Sequence, residues 1–292
     1  MNKRNYQKEL DKLIERNQKE GKIPRLFLHA CCAPCSSYVM EYLSQYFEIT
    51  IFFYNPNIAP VEEYSHRVAE IRRLIGEMEF VHPVTLVEGR YDPEEFYELA
   101  KGLEDVPEGG ERCFRCYRLR MEEAAKLAKE GGYDYFTTTL SISPLKNAQK
   151  INEIGEELAE IYKVPHLTSD FKKKNGYKRS IELSHEHALY RQNYCGCVFS
   201  KKEAMDRERL VTENRVNSNN GRRQQTYNYE KLCIFIKICY TNTEKCRRPG
   251  DGARVCPEKT VLPQKRKVRK NQYGTVMGRP FYKRNGQAGL QF

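Results

Sequence analysis

The chain has 292 residues, a net charge of +11 and eleven cysteines. It contains no apolar run near the roughly 20 residues that a membrane-spanning helix needs. Its charged first residues lack the apolar core of a secretory signal, so we expect a cytoplasmic protein without a membrane anchor. In a reducing compartment, clustered cysteines are more often metal ligands or redox centres than static disulfides. The composition thus argues against membrane proteins and against disulfide-framed secreted domains.

Hydrophobic periodicity predicts that helices and strands alternate along the chain up to about residue 206. The predicted order is helix 4–20, strand 26–30, helix 34–46, strand 47–54, helix 60–77, strand 84–87, helix 93–102, loop 104–110, a helix carrying Cys113 and Cys116, strand 133–139 and helix 145–162. Such alternation predicts an α/β fold with a doubly wound, mostly parallel sheet that helices cover on both faces.

The basic character of the chain is confined to its last third. Residues 1–205 contain 30 Lys+Arg and 32 Asp+Glu, whereas residues 206–292 contain 20 and 7. The alternation of elements stops near residue 206, and the polar stretch 216–225 is typical of a linker. We therefore expect one domain over 1–205 and a basic, irregular extension over 206–292. Such an extension either binds nucleic acid or an acidic surface, or is a solvated tail.

The cysteines of the first 205 residues fall into three groups: Cys31, Cys32 and Cys35; Cys113 and Cys116; Cys195 and Cys197. The first group lies where a strand passes into a helix, the position at which α/β sheets place their chemistry. Two pairs of thiolates far apart in sequence suit a zinc site or a [4Fe–4S] cluster. The directly adjacent pair favours a cluster, because neighbouring residues can each bind a different iron. The remaining interpretation is that these cysteines are small buried apolar residues.

The other thiols leave more alternatives open. Cys35 lies one helical turn after the adjacent pair, so it is a spare ligand, a ligand for a second metal, or a plain turn residue. Only Gly196 separates Cys195 from Cys197. A disulfide between them would close a small, strained ring that is easily reduced, which suits an electron relay. Metal ligation by this pair is the alternative.

Polar residues at the ends of predicted strands complete the candidate site. Asn55, Ser141 and Lys146 follow two strands, and Arg115 lies inside the second cysteine pair. Because carboxyl ends of parallel strands meet at one sheet edge, we expect these residues on the same rim as Cys31. Neighbouring arginines and lysines would make this rim electropositive, which suits an RNA backbone, although each charge alone is typical of a solvated face.

Five ordered segments resemble the cobalamin-independent epoxyqueuosine reductases, the QueH family. They are LHACCAPCS at 28–36, YNPNI at 54–58, RCFRCYRLR at 112–120, TTLSISP at 138–144 and YRQNYCGC at 190–197. The resemblance covers about 20–205 and implies a nucleotide-hydrolase-like α/β fold. It also implies the last step of queuosine biosynthesis, in which epoxyqueuosine at the wobble position of tRNA becomes queuosine. Two electrons and two protons would remove the epoxide oxygen as water.

The resemblance also implies roles for individual residues of this chain. These are Cys31, Cys32, Cys113 and Cys116 as ligands of a [4Fe–4S] cluster, Cys195 and Cys197 as a redox-active disulfide, and Cys35 as a candidate ligand of an additional iron. The implied partners are tRNA that carries epoxyqueuosine and an electron donor that the sequence does not identify. Nothing after about residue 206 resembles the family.

Two rival functions remain at this stage. An ATP-dependent tRNA thiolation enzyme on the same fold would need a Ser-Gly-Gly-type phosphate loop after the first strand. Cys31-Cys32-Ala33-Pro34 occupies that place, and Pro34 removes a backbone N–H that could have held a phosphate. The other rival is a non-catalytic, zinc-stabilised tRNA-binding module. The brown colour of an iron–sulfur protein would exclude it.

Overall fold

The computed structural model describes residues 4–213 of the chain. Four parallel strands form one sheet in the order β3-β2-β1-β4. The strands are β1 Arg25–Ala30, β2 Glu48–Phe53, β3 Val84–Glu88 and β4 Tyr135–Thr138. The helices within this range are α1 Tyr6–Lys19, α2 Ala33–Leu43, α3 Val61–Glu77, α4 Pro93–Ala100, α5 Glu111–Glu130, α6 Ala148–Tyr162, α7 Gly176–Glu186 and α8 198–213. The predicted α/β fold with a parallel sheet is confirmed.

The central strand β1 is buried on both faces, and its side chains alternate between two cores. Leu26 and Leu28 belong to the core that α1, α2 and α3 cover. Phe27 belongs to the core formed with α5 and α6. This division follows from the two-residue period of a strand and from the helices on each face of a parallel sheet.

His29 of β1 is a fully buried core residue. Its Nδ1 lies 2.8 Å from Thr138 Oγ1 and its Nε2 lies 3.1 Å from the Tyr54 carbonyl oxygen. Burial lowers the pKa of His29 to about 3, so the ring is neutral and serves to join β1 with the ends of β2 and β4.

The chain changes direction across the sheet at β1. The strands β2 and β3 lie on one side of it and β4 lies on the other, which makes the β1–β4 pair the topological switch point. In open α/β sheets, ligands bind in the crevice outside the carboxyl ends of the strands at this point. Cys31 and Cys32 follow β1 directly, and a 3₁₀ helix, Thr139–Ile142, follows β4.

Several element boundaries differ from the predictions. The predicted strand 133–139 is shorter because the 3₁₀ helix begins at Thr139. The predicted helix 145–162 begins only at Ala148, since the Asn147 side chain caps it by accepting from Lys150 N–H. The helices α7 and α8 were not predicted, and α8 continues across position 206.

Most of the predicted extension lies outside the described residues, and its boundary with the first domain stays a prediction. Between residues 4 and 213, no helix combines the length and the apolar character that crossing a bilayer requires.

Candidate metal and redox site

The first thiol group is built at the junction of β1 and α2. Cys32 is extended (φ −172°, ψ 160°) and is the N-cap residue of α2, and Pro34 lies in the first helical turn. Proline is accepted there because its missing N–H would have no intrahelical partner. This arrangement gathers the sulfurs of Cys31, Cys32 and Cys35 within 4.8 Å of one another, with 3.9 Å between the first two.

Proximity forces these three thiols into different protonation states. The sulfur of Cys32 accepts from Cys31 and Cys35, and with the nearby Arg67 charge these contacts hold its pKa well below the ordinary value. The same contacts raise the pKa of Cys31 and, more strongly, that of Cys35. One buried thiolate is therefore tolerated here, whereas a second needs a cation to offset the repulsion.

The second thiol pair lies in the first turns of α5. Cys113 packs against the core cluster that contains Cys31 and Cys32, and its sulfur accepts from Gly109 N–H at 3.2 Å. Cys116 is buried, and burial raises its pKa to about 12. Burial also raises the pKa of Cys113. Both sulfurs thus lack the environment that would ionise them without a bound cation.

The third pair lies in a turn that leads into α8. Cys197 packs with Cys116 and Phe96 in one small buried cluster, which brings the third pair beside the second. The Cys197 sulfur accepts from Ser200 N–H at 3.4 Å. All seven cysteines of the described residues are free thiols, so the structure presents Cys195 and Cys197 as a dithiol.

The buried Arg120 forms hydrogen bonds with groups that lie next to the thiols. Arg120 is fully buried and donates from Nε to the Cys116 carbonyl at 3.1 Å and from Nη1 to Asn55 Oδ1 at 3.2 Å. Asn55 in turn donates to the Ala30 carbonyl at 2.8 Å, next to the first thiol group. Burial lowers the pKa of Arg120, but the neighbouring cysteine sulfurs, that of Cys116 first, raise it overall.

A cavity of about 490 Å³ opens at the switch point, and its lining includes thiols of two groups, Cys31, Cys32, Cys35 and Cys195. The half-buried Lys146 also lines it. The charges of Cys195 and Cys31 raise the pKa of Lys146 well above its ordinary value, although burial opposes them. Two oxygens of lining residues, Glu108 Oε2 and Gln192 Oε1, are buried and have no hydrogen-bond partner among residues 4–213.

The predicted rim residues have different environments. Lys146 lines the cavity. Ser141, like Asn55, is completely buried, and its hydroxyl lies 3.1 Å from Ser169 Oγ. Arg115 is exposed and forms an ion pair with Glu111 at 3.3 Å.

Acidic partners also neutralise several charges of the expected basic rim, at least in the part of the chain that the structure describes. The pairs are Lys172 with Asp170, Lys174 with Asp11, Lys178 with Glu182, and Arg179 with Glu41. Arg112 is buried and pairs with Glu203.

Sequence reasoning did not single out Glu108 or Gln192. Both had a local signal. Glu108 begins the Glu-Gly-Gly step of the glycine-rich loop before Cys113, and Gln192 lies inside the YRQNYCGC segment. Arg67 was also missed, because an arginine within a charged helix is indistinguishable in sequence from an exposed one.

The donor set fits a thiolate-bound metal centre. Thiolates are soft ligands that select iron–sulfur clusters, zinc or copper(I), and a [4Fe–4S] cluster takes four of them. The first two thiol groups offer five sulfurs from two helix N-termini, and the compact group at α2 also satisfies the spacing of a single ion.

A family model described as "Epoxyqueuosine reductase QueH" matches residues 26–203, which is more than half of the chain. The chain belongs to the QueH family.

Several curated proteins named epoxyqueuosine reductase QueH resemble this chain over the same part. The one from Staphylococcus epidermidis is 45% identical over 207 residues, 69% of this chain and 87% of its own length. The one from Streptococcus pyogenes is 42% identical over 200 residues, 68% and 78% of the two chains. The one from Thermotoga maritima is 35% identical over 196 residues, 65% and 97%. The match to the family model, over residues 26–203, spans every described cysteine.

Proposed function

We propose that this chain reduces epoxyqueuosine to queuosine at the wobble position of tRNA, removing the epoxide oxygen as water. The observation that carries the proposal is the thiol-lined cavity at the switch point of a chain that belongs to the QueH family. A structural module would not need four thiols in the lining of one crevice of this size. The same crevice supplies a lysine and two unpartnered oxygens, which a substrate can engage.

The residues that would hold a [4Fe–4S] cluster are Cys31, Cys32, Cys113 and Cys116, and Cys35 is the candidate ligand for an additional iron. Burial disfavours ionisation of Cys113 and Cys116, and mutual contact raises the pKa of Cys31. A cationic centre would offset exactly these costs, because metal binding deprotonates its thiol ligands. When bound, a cluster supplies electron transfer, and a neighbouring iron supplies Lewis acidity.

We assign Cys195 and Cys197 as the redox pair. Two thiols that become a disulfide release two electrons and two protons. An epoxide that accepts them breaks both of its C–O bonds, forms a carbon–carbon double bond and releases its oxygen as water. This balances one disulfide against one queuosine, and an electron donor of unidentified chemistry must then restore the dithiol.

Lys146 is suited to stabilise the oxygen that leaves the epoxide. Its ammonium group lines the cavity near Cys31 and Cys195 and stays charged there. A fixed cation stabilises negative charge that develops on an oxygen as the C–O bond breaks. Glu108 and Gln192 offer acceptor oxygens to the amine and hydroxyl donors of the substrate, since buried acceptors without partners are costly.

The test is an anaerobic turnover assay on tRNA that contains epoxyqueuosine, with the nucleoside product identified by mass. We expect a product lighter by one oxygen atom. Metal analysis of the same preparation separates the zinc alternative, because the compact thiol group at α2 also satisfies the spacing of a single ion. Zinc without iron or labile sulfide, together with unchanged nucleoside, would overturn the proposal.

A further inference from the structure

Helix α3 holds the turn that contains the proposed redox pair. Arg67 Nη1 donates to the Cys195 carbonyl oxygen at 2.9 Å. The Arg67 side chain is only 1% exposed, although it lies on a charged helix whose other arginines, Arg72 and Arg73, are more than one-third exposed. Arginine is almost never fully buried unless it is paired, so the burial of Arg67 requires an explanation at this turn.

The guanidinium group is fixed by further contacts that all involve the same segment. Its Nη2 lies 2.6 Å from Glu63 Oε1, and its Nε donates to the same oxygen at 2.8 Å. Glu63 also accepts from the Tyr190 hydroxyl at 3.1 Å. The guanidinium carbon lies 5.4 Å from the centre of the Tyr194 ring. Arg67 and Glu63 together therefore contact the turn and the residues that precede it.

Gly196 is enclosed by the same contacts. Its φ of +127° is open to glycine and strained for other residues. A Cβ at this position would lie 2.9 Å from Ile58 Cγ1 and 3.0 Å from Arg67 Nη1. The Gly196 carbonyl accepts from Ala59 N–H at 3.0 Å. The turn thus accepts hydrogen bonds at two successive carbonyl oxygens, those of Cys195 and Gly196, while both of its thiols are free.

Arg67 keeps its charge although it is buried. Burial lowers the pKa of Arg67, but the neighbouring Cys32 sulfur and the carboxylate of Glu63 raise it overall. The side chain is therefore a permanent buried cation beside the proposed redox pair.

We propose that Arg67 is a positioning residue that holds the Cys195–Gly196–Cys197 turn in its dithiol geometry and sets the equilibrium between dithiol and disulfide. The inference rests on the proposed function, since it takes these cysteines as the redox pair. The hydrogen bond from Arg67 to the Cys195 carbonyl and the close packing around Gly196 stabilise the reduced form, which makes a disulfide a stronger oxidant.

The experiment is a redox titration of the full-length, metal-loaded protein in reduced and oxidised glutathione under anaerobic conditions. Two glutathione thiols reduce one protein disulfide and leave one oxidised glutathione. Alkylation and mass analysis of the peptide that carries Cys195 and Cys197 give the equilibrium constant. We expect Arg67→Gln to shift it towards the disulfide by about tenfold, which is about 30 mV for two electrons.

Arg73→Gln is the matched control. Arg73 lies on the same helix and donates to a carbonyl of the same part of the chain, that of His187 at 3.1 Å, but not to the cysteine turn. We expect the equilibrium constant of this variant to equal that of the wild type. Arg67→Lys keeps the positive charge but removes the forked guanidinium group. We expect it to shift the equilibrium constant less than Arg67→Gln does.

An Arg67→Gln variant with unchanged circular dichroism, iron content and equilibrium constant would overturn the inference. If that variant does not fold, Arg67→Lys gives the comparison, and an equilibrium constant equal to that of the wild type would overturn the inference. A wild-type protein that leaves epoxyqueuosine unchanged while Arg67→Gln still shifts the equilibrium would refute the proposed function and leave the role of Arg67 standing. Normal turnover by the wild type, with no shift of the equilibrium constant in Arg67→Gln, would refute the role of Arg67 and leave the proposed function standing.

Discussion

The cavity has two kinds of lining, and they hold their thiols in different ways. The thiols of α2 belong to regular structure, since β1 ends and the helix begins on consecutive residues, and Cys31 and Cys32 are buried. Residues 190–197 have no regular structure and depend on side-chain contacts with α3 and on their junction with α8. The first arrangement keeps sulfurs at fixed separations, as a metal centre needs. The second leaves a turn whose thiols can form and break a bond.

The largest effect is expected at the rigid lining. Replacement of Cys32 by Ala should abolish cluster binding and activity, because it removes the thiol that the surroundings already favour as a thiolate. Iron and labile sulfide analysis checks this. Cys35→Ala is the matched control, since it removes a thiol of the same group that we do not count among the four cluster ligands. A full cluster complement in Cys32→Ala, or its loss only in Cys35→Ala, would contradict the ligand assignment.

The irregular lining should behave differently. Cys197→Ser should keep the cluster yet lose multiple turnover, because a single thiol cannot close the disulfide that balances epoxide reduction. Visible absorbance reports the cluster and nucleoside mass analysis reports turnover in the same sample. Sustained turnover by this variant would show that electrons reach the epoxide without the pair.

Lys146 is affected by both linings, because Cys195 of one and Cys31 of the other raise the pKa of its ammonium group. Lys146→Met should lower kcat by about 10²-fold, the usual cost of removing one group that stabilises a developing oxyanion. Lys150→Met, one turn into α6 and paired with Glu153, is the control and should leave kcat unchanged. Equal kcat values for Lys146→Met and the wild type would remove Lys146 from the reaction.

The contact between Arg112 and Glu203 fastens α8 to the loop before Cys113. Arg112 donates to the Leu103 carbonyl at 3.0 Å and to Glu203 Oε1 at 3.2 Å, and Glu203 also accepts from Glu108 N–H. Glu203→Gln should lower the free energy of unfolding by about 2 kcal/mol, because it weakens the partner of a buried cation. Denaturant unfolding checks this. Glu213→Gln, an exposed pair partner on α8, should change it by less than about 1 kcal/mol.

The smallest effect is expected from removing the basic extension. Truncation at Asn217 keeps α8 up to residue 213, and we expect unchanged cluster content and melting temperature. Affinity for tRNA should fall modestly and depend less on salt, since phosphate contacts release counterions. Binding at two salt concentrations checks this. Loss of the cluster on truncation would show that the extension belongs to the catalytic fold.

Much of this architecture could be predicted from sequence because its signals are local. Strand–helix alternation predicted the parallel sheet. Because the apolar strand residues end at Ala30, the sequence also predicted Cys31 and the thiols after it at a strand end. Spacing alone left zinc and iron–sulfur chemistry as alternatives for the same sulfurs, and the structure also groups Cys35 with the adjacent pair.

The rest depended on contacts between distant segments. The sequence predicts Asn55 at the end of the second strand, but its burial follows from contacts with Arg120 and Ala30, which lie 65 and 25 residues away in the chain. The burial of Arg67 also depends on a distant contact, since its partner Cys195 is 128 residues away in the chain. Charge patterns on a helix predict solvent exposure, and only tertiary packing shows which arginines are enclosed.

The most direct test of the central claim is a single-turnover experiment with pre-reduced protein, epoxyqueuosine-containing tRNA and no external reductant. Queuosine is quantified by mass, and the Cys195–Cys197 disulfide is quantified by alkylation at the same times. The account predicts that the two products rise together with one disulfide for each queuosine. Formation of queuosine while both cysteines stay fully alkylatable would contradict it.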